Sequence, residues 1–527
     1  MIASTRAAAS RIVARTGLAR RPRPAVASPL LFFALGLALR IPMLGKPAFQ
    51  SDEQFYLLVG QRMAEGALPF VDIWDRKPYG LFLLYRGVFA LPFEPVLTYQ
   101  IAGLIFSVLT ALVIERLARR IAPPPAAQAA GIAYLLYQPM FNVALGQSPV
   151  FYNLPVALAA GLVLAARCRS EDRSLFRRGM AAMLLVGLAL EIKYSAVFEG
   201  LGFGLMLLAR GRVDGWSLPR LAMTGAAWAL AALAPTLLVW TGYAAAGHGE
   251  AFLQANFLSI FGRSVDHADA FAQLAKESLA LIPFALAILL APSRLPARPE
   301  TDPVMLTGIR IWAMVALFGF LAFGTWYDHY LGPVLVPLCV LAAPALGRTA
   351  PGERWYGRLL LGFGLLGALV VPALQVRERG TAAAFASASA AVARELRGRC
   401  LYVYEGDSAL YRTTNACIPT RFAYPSHLNA MNEAGALGVD PAAEVERILA
   451  TRPGVIVVSE SSRPNLPNLQ TRAQIRKALA RSYERYEGID RYAAVWPLPL
   501  EALNFSAPWR LRNRAGARRP WSIPRCG

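Results

Sequence analysis

Charged residues are scarce in this chain. Asp, Glu, Lys and Arg make up 17% of its 527 residues, whereas 56% of the residues are hydrophobic. A typical soluble domain carries about 25% charged residues, so this composition excludes an ordinary soluble protein. The apolar residues also lie in long runs, and about 20 consecutive apolar residues are enough for one helix to cross a bilayer. The sequence therefore predicts an α-helical polytopic membrane protein.

Acidic residues are the scarcer of the two charge types. The chain has 33 acidic and 54 basic residues, which gives a net charge of +21. In a soluble protein this excess would suggest nucleic acid, but here the arginines form short runs between apolar spans, as in cytosolic loops. We therefore predict membrane lipids as partners and no nucleic acid. The Arg- and Ala-rich N-terminus also fits an organellar transit peptide; a retained cytosolic tail is the preferred interpretation.

Cysteine and histidine are few, with five and four copies. The cysteines show no CxxC or Cys/His metal spacing, which argues against a structural zinc site. Cys400 and Cys417 fall in a region that we predict to lie outside the cytosol, where disulfides form. Sequence alone leaves their pairing open, because it cannot place the two Cα atoms within bonding distance.

The hydrophobic runs predict about eleven membrane spans. They lie near residues 28–44, 96–115, 125–145, 150–166, 179–194, 196–209, 221–245, 278–292, 305–324, 329–347 and 357–375. Because the arginine runs fall in alternate loops on the side of the N-terminus, the positive-inside rule places that side in the cytosol. The predicted division is a basic cytosolic tail (1–27), a transmembrane domain (28–375) and an extracytoplasmic domain (376–527). This orientation suits a bacterial inner membrane.

The C-terminal part differs in character from the rest. Short β-branched runs predict strands at 401–405 and 454–460, and a third near 491–497. Between them, Asp440 followed by Pro441 predicts a helix start. Strands alternating with helices predict a small α/β domain. Its basic, Trp-containing tail from Trp509 onwards is expected either to rest on anionic lipid or to be solvated.

The first outer loop, about 45–95, concentrates the polar residues that could carry chemistry. It begins with Ser51, Asp52, Glu53 and Gln54 and continues to the segment DIWDRKPYG, which starts at Asp72. Ser51 with Gln54 is also typical of a capping box, and acids in a first helical turn are favoured by the helix dipole. A structural interpretation of the two acids therefore stays open.

The order of these residues resembles the polyprenyl-phosphate-sugar-dependent C-type glycosyltransferases. Arg40 near the end of the first span, Asp52-Glu53 in the first outer loop and Lys77-Pro78 match the family pattern, although Tyr79 stands where the family has a second Pro. The likeness is greatest to the bacterial branch of lipopolysaccharide core transferases, the aminoarabinose transferase and relatives of protein O-mannosyltransferases. It implies a cell-envelope enzyme that uses a polyprenyl-phosphate-linked sugar and a lipid, glycan or protein acceptor.

The resemblance also implies roles for single residues. Asp52 is expected to be the catalytic base, with Glu53 as a helper or a cap. The residues expected to hold the donor phosphate are Lys77, Lys193, Arg263, His267 and His329. For Arg263 and His267, which the sequence places in a later outer loop, a simply solvated side chain is the alternative. The residues expected to line the substrate loop are Arg40, Tyr56, Asp72, Asp75 and Arg76.

Several alternatives remain. Lys193 could form an ion pair with Glu191 instead of binding phosphate. No cofactor is certain, and a divalent metal held by Asp52 stays open. A transporter or flippase for a lipid-linked glycan is the main competing function, but transporters place their polar residues inside broken spans. The C-terminal domain is predicted to tune acceptor choice, since it shows no grouping of acid, base and nucleophile.

Overall fold

A computed structural model of the chain is predominantly helical. It describes residues 28–47, 49–166, 172–290, 303–348, 352–379, 381–458, 466–485 and 507–511. The helices up to residue 379 are α1 (Ser28–Arg40), α2 (Ser51–Ala64), α3 (Tyr79–Val88), α4 (Pro95–Ala118), α5 (Pro124–Met140), α6 (Ser148–Leu164), α7 (Asp172–Leu190), α8 (Val197–Val213), α9 (Leu218–Ala245), α10 (Gly249–Leu253), α11 (His267–Ala285), α12 (Pro303–Ala322), α13 (Gly332–Leu346) and α14 (Arg354–Arg379). Short 3₁₀ or π turns occupy Tyr194–Ala196, Gln254–Leu258, Ser259–Gly262, Leu286–Leu290 and Asp328–Leu331.

Six helical stretches are long and apolar enough to cross a membrane, counted over the described ranges. They are Pro95–Ala118, Leu218–Ala245, His267–Leu289, Val304–Ala322, Asp328–Leu346 and a stretch that begins at Arg354. Helices α1 and α6 are shorter but also apolar. Each predicted span overlaps a helix, which confirms a polytopic helical protein. The number eleven stays a prediction.

Proline and acidic caps explain where several helices begin. Pro95 opens α4, where its missing N–H costs nothing, and the Glu94 carboxylate accepts a 2.7 Å hydrogen bond from Leu97 N. Asp266 caps α11 by accepting from the backbone of residues 268 and 269. This cap starts α11 at His267, so the helix begins well before residue 278, where the membrane span is predicted to start.

The C-terminal part contains a four-stranded sheet. Its remaining elements are α15 (Ala382–Leu396), β1 (Leu401–Val403), α16 (Ala409–Thr413), α17 (Ser426–Asn429), a 3₁₀ turn (Met431–Ala436), α18 (Pro441–Ala450), β2 (Val455–Val458), α19 (Leu469–Ser482), β3 (Tyr483–Arg485) and β4 (Ala507–Leu511). The strand order is β1-β2-β4-β3, with β1 parallel to β2 and the other pairs antiparallel.

The first two strands lie within their predicted segments, and α18 begins after Asp440 as expected. The predicted strand at 491–497 lies outside the described residues. The start of the predicted basic tail is a strand, because Trp509 pairs with Ile456 in the sheet. For residues 509–511 the prediction of a lipid-bound or solvated tail is therefore wrong.

Two large hydrophobic cores organise the fold. One joins the apolar helices, from Phe32 in α1 to Leu360 in α14. The other is built jointly by the first outer loop and the C-terminal part, and it includes Phe55 and Trp74 together with Tyr402. The aromatic ring of Trp74 lies 5.6 Å from that of Phe422. The C-terminal part therefore packs directly on the loop that carries the candidate residues.

Candidate active site

Asp52 lies in the first turn of α2. Gln50, which precedes the helix, has an extended backbone and forms no side-chain cap, and the Gln54 side chain donates a 3.0 Å hydrogen bond to the Tyr99 hydroxyl. Ser51 and Gln54 therefore do not form a capping box, and that structural interpretation of the segment is wrong.

The Asp52 carboxylate is held by two donors. Gln147 Nε2 donates to Oδ2 over 2.9 Å, and the Tyr424 hydroxyl donates to Oδ1 over 2.7 Å. Burial alone would raise the pKa of Asp52, but the positive charges of Lys77 and His329 and the two hydrogen bonds together lower it to about 2. The side chain is half-buried. Asp52 is therefore ionised, oriented and still accessible.

Glu53 has a different environment although it is the next residue. Its side chain is fully buried, one oxygen accepts a 2.8 Å hydrogen bond from Gly146 N, and the other oxygen has no partner among the described residues. Burial raises the pKa of Glu53 to about 8. Glu53 is therefore mostly protonated at neutral pH, which makes it a poor candidate for the base.

The loop between α5 and α6 donates hydrogen bonds to both acids, and Arg40 in turn donates a hydrogen bond to that loop. The Arg40 guanidinium is fully buried and donates to the carbonyls of Ala144 and Gly36 and to the side chains of Ser107 and Gln138. Arg40 is thus occupied by protein acceptors. The prediction that it lines the substrate loop is wrong, because it lies inside the helix packing below the site.

Two lysines from separate segments lie near Asp52. Lys77 Nζ lies 5.5 Å from the ring centre of Tyr56, and Lys193 Nζ lies 4.5 Å from that of Tyr330. Lys193 interacts electrostatically with Lys77, Arg263 and Asp52. Like charges at close range repel one another unless an anion lies between them. This cluster suits a phosphate.

The Lys193–Glu191 pair that the sequence left open does not form in the described part of the chain. Glu191 Oε1 instead accepts a 2.5 Å hydrogen bond from Thr236 Oγ1, and its backbone carbonyl accepts from Leu81 N. Glu191 therefore joins helices α7, α9 and α3. Lys193 faces the ring of Tyr330 instead.

The Glu433 carboxylate forms ion pairs with two arginines, Arg76 and Arg263. Arg76 forms an ion pair with Glu433 through both carboxylate oxygens, and Arg263 Nη2 lies 2.9 Å from Glu433 Oε1. Burial alone would raise the pKa of Glu433, but the bonds and charges of Arg76 and Arg263 lower it. Two guanidiniums thus share one carboxylate, so the first outer loop, the segment just before α11 and the C-terminal part meet at this point.

His329 also lies near enough to Asp52 to interact with it electrostatically. Its Nδ1 lies 3.4 Å from Asp328 Oδ1, and its ring centre lies 4.6 Å from that of Tyr330. Asp328 in turn accepts a hydrogen bond from Asn142, whose side-chain oxygen accepts from Gln50 just before α2. A cavity of about 20 Å³, the size of one water molecule, lies among Lys193, His329 and their neighbours.

The fold has counterparts among solved structures. Apo ArnT from Cupriavidus metallidurans aligns with a TM-score of 0.59 at 16% identity, over 91% of this chain and 97% of that chain. The same protein bound to undecaprenyl phosphate gives 0.58 at 15% identity, over 93% and 99%. The chain has the fold of ArnT. The AglB oligosaccharyltransferase of Archaeoglobus fulgidus, in complex with an inhibitory peptide and a dolichol-phosphate, gives 0.51 at 12% identity, over 91% and 76%. No family model and no curated protein matches the sequence.

The resemblance drawn from the first loop is thereby confirmed at the level of the fold. Within this ArnT-like fold the remaining predicted residues are dispersed. Asp72 is exposed and accepts a 2.7 Å hydrogen bond from Leu68 N, so it shapes the loop. Asp75 is buried and accepts from Arg76 N. Tyr56 is buried beneath Lys77, whereas His267 is exposed at the start of α11.

Sequence reasoning missed three side chains of the site. Gln147 and Tyr424 orient Asp52, and Glu433 joins Arg76 to Arg263. Tyr424 and Glu433 belong to the C-terminal part, which therefore supplies groups to the site as well as a surface beside it. Clusters of three or more His, Cys, Asp or Glu side chains that could share a metal do not occur in the described ranges.

Proposed function

We propose that this chain transfers one sugar from a polyprenyl-phosphate donor to a lipid, glycan or protein acceptor. One observation carries the proposal: an ionised, half-buried Asp52 is oriented by Gln147 and Tyr424 close to Lys77 and Lys193. This arrangement provides a base beside a cationic anion site. ArnT has been solved with undecaprenyl phosphate and AglB with a dolichol-phosphate, which agrees with a lipid-phosphate donor.

The chemistry is a displacement at the anomeric carbon. The acceptor oxygen attacks that carbon while Asp52 takes its proton, and the bond from the anomeric carbon to the phosphate oxygen breaks with its electron pair leaving on the polyprenyl phosphate. Lys77, Lys193 and Arg263 would stabilise the charge of the departing phosphate. A bound phosphate also offsets the charge of Lys77, so the pKa of Asp52 rises and the base becomes stronger when the donor is present.

The same proposal includes an orientation. We place the N-terminus in the cytosol, about eleven spans in the bacterial inner membrane, and the site with the C-terminal α/β domain on the outer face. The Cys400–Cys417 disulfide supports this orientation, because such bonds persist in oxidising compartments. The lipid-phosphate donor also fits, since nucleotide sugars are not supplied outside the cytosol.

A divalent metal at Asp52 is a separate question. Both carboxylate oxygens already accept a hydrogen bond, and the nearest charges are cationic. We propose that the protein's cations stabilise the phosphate without a metal at Asp52. Transfer should then be equal with and without a chelator, whereas activity that is lost with chelator and restored by Mg²⁺ or Mn²⁺ would place a metal in the reaction.

The test compares wild-type protein with Asp52→Asn, using a panel of radiolabelled polyprenyl-phosphate sugars and a membrane extract as acceptor. Asparagine keeps the size of the side chain and removes the base, so we expect transfer to fall at least about a hundredfold. Glu65→Gln is the matched control, because Glu65 is an exposed acid at the end of the same helix, where it accepts hydrogen bonds from Arg62 and Gln61. Undiminished transfer by Asp52→Asn would exclude Asp52 as the base, and no transfer by wild type from any donor would favour a flippase.

A further inference from the structure

A second cavity lies at the end of α4 away from the candidate site. It has a volume of about 680 Å³, within the usual range for small-molecule sites of about 300–1,000 Å³. Its walls come from α4, α6, α7 and α12 and are mostly leucine, including Leu109 and Leu158, which also face outward. The cavity is therefore an apolar groove that opens on the side of the helices that faces lipid.

The mouth of this groove is positively charged. Arg116 and Arg120 are the charged members of its lining, which includes no acid. Both are exposed, and both line the same groove. The nearby Arg119 is already paired with Glu115. Two guanidiniums thus stand together at one end of a long apolar groove.

The groove is separate from the site around Asp52. Tyr99, which accepts a hydrogen bond from Gln54, lies near the start of α4, and Arg116 lies 17 positions later. At about 1.5 Å per residue, the two ends are about 25 Å apart along the helix. This distance nearly spans a bilayer, so the arginines reach the opposite interface from the site.

We propose that this groove binds an anionic phospholipid of the cytosolic leaflet. One acyl chain lies between α4 and α6, and the phosphate is held by Arg116 and Arg120. Basic pockets between membrane helices on the cytosolic side suit anionic headgroups, because that leaflet carries a negative surface potential. A free phosphate ion would gain nothing from the apolar walls. The inference rests on the orientation proposed above and is independent of the transfer reaction.

The test measures lipids retained by the full-length protein in native mass spectrometry. The protein is purified in detergent with equal amounts of phosphatidylglycerol and phosphatidylcholine that carry the same acyl chains. We expect wild type to retain phosphatidylglycerol at least about fivefold more often than phosphatidylcholine, a difference of about 1 kcal/mol in binding. Arg116→Gln combined with Arg120→Gln should bring that ratio close to one.

A second variant tests the groove itself. Gly161 lines it, and a Cβ at this position would meet only Leu117 Cδ2, at 3.9 Å, so a larger side chain fits but extends into the groove. Gly161→Leu should therefore lower the retention of both lipids. The control is Arg212→Gln, an exposed arginine at the end of α8 on the same side, which should behave as wild type.

Three results would overturn the proposal. They are equal retention of the two lipids by wild type, an unchanged ratio in the Arg116/Arg120 double variant, and loss of bound lipid on adding inorganic phosphate alone. Variants are compared only when they elute from size exclusion as wild type does. If the double variant does not, Gly161→Leu decides: unchanged retention by that variant rejects the groove.

Discussion

The Tyr424 hydroxyl donates a 2.7 Å hydrogen bond to Asp52 Oδ1, joining residues 372 positions apart. The Tyr424 ring is fixed by its neighbours, with its centre 5.1 Å from that of Phe55 and 5.4 Å from that of His427. Burial and the surrounding positive charges lower the pKa of His427 well below its usual value, so His427 adds no charge here. The orientation of the proposed base therefore depends on an uncharged aromatic support from the C-terminal part.

Removing only the Tyr424 hydroxyl should weaken transfer. A hydrogen bond to a charged group contributes about 1.5–3 kcal/mol, so we expect Tyr424→Phe to lower kcat/KM by about tenfold or more. The phenylalanine ring keeps the packing against Phe55. The effect is measured as transfer from the labelled donor that wild type uses.

The matched control is Tyr404→Phe. The Tyr404 hydroxyl is hydrogen-bonded to Thr471 Oγ1 inside the C-terminal part, away from Asp52. If Tyr404→Phe reduces transfer as much as Tyr424→Phe does, the loss reflects general loosening of the C-terminal part and not the orientation of Asp52.

Glu53→Gln should separate the roles of the two neighbouring acids. Because Glu53 is protonated at neutral pH, its amide analogue should retain at least about a tenth of wild-type transfer, whereas Asp52→Asn loses it. Glutamine can still accept the hydrogen bond from Gly146 N. A loss as large as that of Asp52→Asn would show that Glu53 shares the catalytic role.

The raised pKa of Glu53 also predicts how stability depends on pH. The folded chain keeps its proton up to about pH 8, while the unfolded chain releases it near the usual value of 4.5. Folding thus binds a proton within this window, and the contribution of Glu53 to stability falls as pH rises from 4.5 to 8. The melting temperature of Glu53→Gln should therefore rise relative to that of wild type as the pH increases from 5 to 8. A constant difference would mean that Glu53 is ionised in the folded protein.

The local features of this protein could be predicted from sequence. Apolar runs locate the helices, and the acids of the first outer loop stand out in so hydrophobic a chain, so Asp52 and Lys77 were found. Arg40 shows the limit of that reasoning. An arginine at the end of a span looks available for substrate, whereas its acceptors come from residues 36, 107, 138 and 144. Only the folded chain brings them together.

The side chains that the C-terminal part supplies to the site could not be predicted. Tyr424 and Glu433 reach the site across 372 and 357 positions, and nothing in their own neighbourhood marks them as functional. A tyrosine in a turn and a glutamate in a 3₁₀ turn are common. Their role arises from the core that the first loop and the C-terminal part share, which depends on long-range packing.

The Arg76–Glu433 pair should be strongly coupled. Both side chains are largely withdrawn from solvent, so removing Glu433 leaves the Arg76 guanidinium without its carboxylate partner. In a double-mutant cycle of Arg76→Gln and Glu433→Gln, we expect a coupling of about 1–3 kcal/mol. Unfolding by SDS titration, followed by tryptophan fluorescence, gives the free energies.

The chain supplies a matched control for this cycle. Arg62 and Glu65 form an ion pair that is about two-fifths exposed on both sides, and exposed pairs contribute about 0–1 kcal/mol. Their coupling should be much smaller. Equal coupling in the two cycles would mean that Glu433 does not act as a bridge between Arg76 and Arg263.

The Cys400–Cys417 disulfide tests both the fold and the orientation. The bond closes a loop across 17 positions at the start of β1, and Leu401 N donates a 3.1 Å hydrogen bond to the Cys417 carbonyl. Loops of about 15 residues give about 3 kcal/mol of stabilisation, so replacing both cysteines by serine should destabilise the C-terminal part by a similar amount. Limited proteolysis of the purified protein measures the loss, which should appear as faster cleavage after residue 400.

Thiol labelling of the protein taken directly from cells then reports the compartment of the C-terminal part. We expect a polyethylene-glycol maleimide, added after denaturation, to modify two more cysteines in wild type than in the Cys400→Ser/Cys417→Ser variant, and only after reduction. Reduction is required because the bond forms outside the cytosol, where thiols are oxidised. If the two cysteines were labelled without reductant, the C-terminal part would lie in the cytosol, and a lipid-phosphate donor at the outer face could not reach Asp52.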